Sequence, residues 1–248
     1  MKRALAVLLL GLGMVGVATL AGRRGADERF TAARNAVDAD CRAYRAQPAH
    51  RHADVCRIDH YGPKALPLRA EAKPLLEHAR SALAHDDVPG AERDLSRVVA
   101  ILDELDHVGT SIAQLVRASL VAEILDVAAE HRELDATRLL REVRLTKHPF
   151  AAESLQHRWY LAHWNELAIS DGMRSRSAGD LAEAIVEDGA HYDAMERALV
   201  ERRDVRECEE IARKHELSAL MCVTLNDALD TAARLDATQH GRLSSPRR

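Results

Sequence analysis

Apolar residues recur along this chain at intervals of three and four, the spacing that aligns side chains on one face of a helix. No alternating apolar and polar run longer than a few positions appears, so the pattern predicts helices and no strand. Phe30, Ala33, Val37, Cys41 and Tyr44 form one stripe and predict a helix over 26–46. Pro48, Gly62-Pro63 and Pro67 then break the pattern and predict a loop over 47–67. Helices are predicted over 67–85 and 89–105, joined by Asp86-Asp87-Val88, with Asp87 placed to cap the second and Pro89 suited to its first turn. Ala91, Leu95, Val98, Val99, Leu102 and Leu105 give that second helix a clean apolar face.

The next helix, capped by Thr110 or Ser111 and reaching about residue 131, is apolar nearly all round and is expected at the centre of the core. A short helix is predicted over 135–147, and Pro149 opens another to about 169 that holds Phe150, Trp159, Tyr160 and Trp164. The polar, glycine-containing loop 170–179 is the expected boundary between subdomains. Helices over 180–201, 204–214 and 218–235 follow. The fold class is therefore all-α, a multi-helix bundle of stacked hairpins. Its predicted divisions are 1–24, a helical domain 25–170, a C-terminal helical subdomain 178–235 and a disordered tail 236–248. The pair over 73–105, with Ala79, Ala82 and Ala91 at its crossings, resembles a tetratricopeptide-type hairpin. The 34-residue period of that family does not recur, so no family is assigned from it.

The first two dozen residues follow a different rule. Met1-Lys2-Arg3 precede an uncharged stretch, Ala4 to Gly22, which Arg23-Arg24 closes. A secretory signal has a basic start and an apolar core of about 7–15 residues, whereas a spanning helix needs about 20. Residues 4–22 lie between the two, and read either as an N-terminal membrane anchor or as a signal peptide cleaved after Ala18 or Ala21. Arg23 stands where a lipoprotein signal would carry its lipidated cysteine. Either reading places the domain in the bacterial cell envelope: in the periplasm or extracellular space, tethered to the inner membrane or secreted.

Composition narrows the function. The formal net charge is −4, with no basic cluster, which removes the electrostatic footprint of a nucleic-acid binder. Aromatic residues make up 3% of the chain, too few for a stacking platform for single strands or sugars.

The four cysteines fall into two near pairs, Cys41 with Cys56 and Cys208 with Cys222. An even count behind an export signal reads as a disulfide framework. Along one straight helix Cys208 and Cys222 would stand about 21 Å apart, far beyond bonding reach. They can pair only if the chain turns near residues 214–218, and both lie on the apolar faces of their helices. Local pairing in both halves is the expectation; the crossed arrangement would need the first and last helices to be neighbours. The alternative for the long loop is a metal site, with Cys41, His50, His52, Cys56 and His60 offering thiolate and imidazole ligands to zinc.

Catalytic signatures are lacking in the sequence. Glu130-His131-Arg132-Glu133 and His215-Glu216 have no second histidine for a metalloprotease helix. Gly11-Leu12-Gly13-Met14-Val15-Gly16 has dinucleotide-loop spacing, but it lies inside the apolar leader with no strand before it. His157, Trp159, Tyr160, His163 and Trp164 are the candidate lining of an apolar-ligand pocket between helices. The reading carried forward is an envelope scaffold or protein-interaction module with an unknown envelope protein as partner. The alternatives are a metal-binding protein or enzyme using loop 47–67, and a binder of an apolar small ligand.

Overall fold

A computed structural model describes residues 2–46, 56, 65–108, 111–170, 175–215, 217 and 219–240, with the side chains of 2–23, 111, 149 and 168–170 outside the described set. The described residues form ten α-helices and no strand: α1 (Lys2–Ala46), α2 (Ala65–Ala84), α3 (Val88–Val108), α4 (Ser111–Glu130), α5 (Ala136–Leu139), α6 (Pro149–Ala162), α7 (Trp164–Ser170), α8 (Ala178–Glu196), α9 (Val205–Lys214) and α10 (Leu220–Gln239). A short π-helical stretch, Arg197–Glu201, joins α8 to the turn before α9.

Two three-helix groups carry most of the packing. In the first, α2 and α3 form an antiparallel hairpin that packs on α4. Ala72, Leu76, Ala79 and Leu83 on α2 meet Ala91, Leu95, Val98 and Leu102 on α3, all nearly or fully buried. The alanines let the two axes approach, and each fully buried leucine contributes about 1.5–3 kcal/mol. As expected, Asp87 caps α3, its Oδ1 accepting from the Gly90 N–H at 3.0 Å. Position 90 has to be small: a Cβ there would stand 2.1 Å from the Asp87 carboxylate. The central role expected of α4 is also observed, with Ala113, Val116, Leu120, Val121, Ile124 and Val127 buried.

In the second group α1, α6 and α8 pack on one another. Val37 and Cys41 of α1, Leu155 and Leu161 of α6 and Ile185 of α8 share one buried cluster. That cluster draws on both sides of the expected division at 170–179. A third cluster, with Phe150, Met195, Leu199, Cys208, Cys222 and Leu225, seals α9 and α10 against the end of α8.

Several boundaries differ from expectation, each for a local reason. The helix predicted over 135–147 stops at Leu139, because the Gln239 side chain of α10 donates to the carbonyls of Leu140 at 2.6 Å and Val143 at 2.8 Å. The same contact comes from the helix that extends to Gln239, beyond the tail start expected at 236. The helix predicted over 149–169 breaks at His163, whose Nδ1 bonds the Trp159 carbonyl at 3.0 Å. The same carbonyl also accepts the His163 backbone N–H at 3.1 Å. The helix predicted over 180–201 ends as α-helix at Glu196, and the wider π turn that follows puts both Ala198 and Leu199 into the core. Serine and aspartate caps hold three further starts: Asp135 on α5, Ser177 on α8 and Asp204 on α9.

The predicted loop 47–67 ends earlier than expected, since α2 begins at Ala65; apart from Cys56 the rest of it lies outside the described residues. Thr110, Ser218 and residues 241–248 do too. The helical backbone of α1 is continuous from Lys2 to Ala46, 45 residues, or about 68 Å of helix. No helix among the described residues is long and apolar enough to cross a membrane. The side chains of the apolar stretch 4–22 lie outside them.

Candidate functional site

Both local disulfides are present: Cys41–Cys56 with Cα atoms 6.1 Å apart and Cys208–Cys222 at 5.9 Å, and no cysteine is free. The second pair closes the α9–α10 hairpin across matching apolar faces, both residues being fully buried. The first ties residue 56 back to α1 inside the α1–α6–α8 cluster. In this bonded form the sulfurs of Cys41 and Cys56 are committed to each other, so neither is a thiolate ligand. His50, His52 and His60 lie outside the described residues. Among the described residues no group of three or more metal-ligating side chains converges.

The five residues expected to line an apolar pocket pair off with close neighbours. Trp159 stacks on His163 with ring centroids 4.4 Å apart, and Tyr160 meets Trp164 edge-on at 5.4 Å. The Arg176 guanidinium covers the Trp164 ring at 4.6 Å. His163 Nε2 also faces Asp38 of α1 at 3.8 Å. His157 donates from Nδ1 to Asp188 on α8 at 2.8 Å and packs edge-on against Tyr192. The bond to Asp188, reinforced by its charge, raises the His157 pKa above 6.5 against the opposing effect of burial. The second carboxylate oxygen of Asp188 is buried without a hydrogen-bond partner. These contacts tie α6 to α1 and α8.

The open space lies one face away. A cleft of about 320 Å³ is bounded by the last turns of α1, the first turns of α6 and the end of α8. Phe150, Ser154 and Arg158 recur at every fourth position along α6, so one face of that helix supplies one wall. Tyr192, Asp193 and Glu196 come from α8, and Asp40 and Tyr44 from α1. Arg158 holds Asp40 at 3.2 Å, and His148 holds Glu196 at 3.0 Å. Glu196 also accepts from the Phe150 N–H at 3.1 Å, so this carboxylate caps α6 from a neighbouring helix. Burial raises its pKa above the usual carboxylate value, against the lowering effects of the Phe150 and His148 bonds. Burial, with a contribution from Asp106, pushes the Tyr44 hydroxyl up to about 12, so it stays protonated.

None of these cleft residues was singled out as a site residue by sequence reasoning. The available signal was the recurrence of Phe150, Ser154 and Arg158 at intervals of four. A second, larger groove of about 660 Å³ runs between α1 and α8, floored by Ala32, Ala33, Gly179 and Ala182. Val186 stands 67% exposed on its α8 wall.

Another charged pair sits deeper. Arg117 of α4 is buried and paired with Asp106 of α3. Burial lowers its pKa, while Asp106 and Asp103 act in the opposite direction. Its Nε has no hydrogen-bond partner.

Comparison with known proteins adds no relative: no family model, no curated protein and no solved structure matches this chain.

Proposed function

We propose that this chain is a protein of the bacterial cell envelope, a helical scaffold or interaction module carried to an oxidising compartment by residues 4–22. The observation that carries the reading is the pairing of all four cysteines in two local disulfides. Such bonds persist in secreted and periplasmic proteins and are rare where glutathione keeps thiols reduced. The basic-apolar-basic order of residues 2–24 supports the same compartment independently. The helix that contains this leader runs unbroken into the helix that bears Cys41, which suits a stiff tether. The α2–α3 hairpin, similar to a tetratricopeptide pair, suits a surface for protein contacts.

The test is fractionation followed by capture. The full chain, expressed in a bacterial host, is expected in the envelope fraction with four non-titratable thiols until reductant is added. It is expected to retain one envelope protein in near-stoichiometric amount after mild solubilisation. Recovery in the cytosolic fraction with four titratable thiols would overturn the reading.

A further inference from the structure

We infer that the groove between α1 and α8 is the docking surface for a second copy of this chain, in a two-fold dimer whose axis runs along α1. The direction of that axis rests on the anchored reading of residues 4–22, which holds two copies side by side in one membrane. Within each copy α1 and α8 run the same way. At one end a Cβ on Gly179 would stand 3.7 Å from the Ala26 Cβ. At the other end the last turns of both helices bound the cleft that Tyr44 and Tyr192 line. Taking Ala26 and Gly179 as level, Arg29 stands about 4.5 Å further along and Glu183 about 6 Å. Ala33 and Val186 both stand about 10 Å along. A two-fold axis parallel to these helices keeps every residue at its own height, so each meets partner residues of the same level.

The groove carries matching parts at those levels. Its floor of Ala32, Ala33, Gly179 and Ala182 leaves about 660 Å³ open. Val186 projects from the α8 wall, and among the described residues it is the one large apolar side chain of α1 or α8 that stands exposed. Seated on the partner's alanine floor, it removes apolar surface of both copies from water, and the symmetry makes the contact twice.

Charge sets the register and selects the occupant. Arg29 stands on the α1 side of the groove and Glu183 on the α8 side, and no ion pair among the described residues engages either. With two grooves face to face, Arg29 of one copy lies level with the partner's Glu183, and the two-fold produces two such pairs. A surface that bears both signs at one level, and both a projecting side chain and a small-residue floor at the next, complements itself. Confinement to one membrane adds a raised effective concentration to that complementarity.

The test is sedimentation velocity of the full chain in a maltoside detergent over rising protein concentration, compared across variants. The wild type is expected to reach a dimer. Arg29→Glu and Glu183→Arg, each alone, set like charges against each other and are expected to weaken dimerisation roughly tenfold or more. The combined Arg29→Glu/Glu183→Arg chain restores opposite charges across the two-fold and is expected to regain most of the dimer. Val186→Ser is expected to weaken the dimer without a charge change. All these positions except Ala33 and Ala182 face solvent, and an unchanged melting profile of the dissociated chain shows that each variant folds. A wild type that stays monomeric, a larger assembly, a dimer that the single variants keep, or a double variant no better than the singles would each overturn the inference. Fractionation tests the envelope reading on cells and sedimentation tests the dimer on purified chain, so either can fail while the other stands.

Discussion

Removing the Cys208–Cys222 bond tests the physical account of the C-terminal hairpin. The perturbation is the double change Cys208→Ala/Cys222→Ala, which leaves no buried lone thiol. The bond closes a loop with a sequence separation of 14. In the chain-entropy model such a closure removes about 10 cal/mol/K from the unfolded ensemble, which is about 3 kcal/mol at 25 °C. Both cysteines are fully buried among Met195, Leu199 and Leu225, so lost sulfur contacts add to that figure. With a urea slope of about 1–3 kcal/mol/M, the midpoint should fall by roughly 1–3 M. The slope itself should rise, because the unfolded chain becomes more open. The assay is urea unfolding of the full chain in detergent, followed by far-ultraviolet dichroism. The Cys41–Cys56 loop has a separation of 15, and chain entropy makes the two closures equal within about 0.1 kcal/mol. An unmoved midpoint in Cys208→Ala/Cys222→Ala would refute the reasoning.

Further predictions rest on single contacts. Asp106→Ala should cost about 3–5 kcal/mol by stranding the buried Arg117 charge, whereas replacing both partners, Asp106→Leu/Arg117→Met, should be close to neutral or stabilising; equal losses in denaturant midpoint would contradict this. Asp87→Ala should cost about 1 kcal/mol by uncapping α3, and a midpoint unchanged within error would show that the cap is idle. His157 has a folded-state pKa raised above its unfolded value near 6.5, so the stability it adds is fully present below 6.5 and is lost as pH rises through the folded pKa. The midpoint difference between wild type and His157→Gln should therefore shrink as pH rises above about 6.5, and a constant difference would sink the assignment.

What the sequence disclosed divides along a physical line. Apolar periodicity reports which face of a helix is buried, so the α2–α3 hairpin, the central place of α4 and the α9–α10 turn were all readable from residues such as Leu95, Ile124 and Cys222. Caps are local, and Asp87 announced its helix. The disulfides followed from spacing and shared apolar faces. The missed boundaries were decided by particular side-chain and backbone contacts. Gln239 reaches the carbonyls of Leu140 and Val143 from about a hundred residues away, and no window around α5 contains that information. The cleft was hidden for a related reason. Its walls come from three helices, and Glu196 meets Phe150 only once α8 lies beside α6. The aromatic residues that drew attention, Trp159 and Trp164, instead pair with His163 and Tyr160.

The central claim is that the helical domain works beyond the cytoplasmic membrane, where its two disulfides form. The most direct measurement is a matched pair of reporters fused after Arg248, one active only in the cytoplasm and one only in an oxidising envelope compartment. The account predicts activity from the envelope reporter and silence from the cytoplasmic one, with deletion of residues 4–22 reversing the pattern. Strong cytoplasmic activity from the intact chain would contradict it.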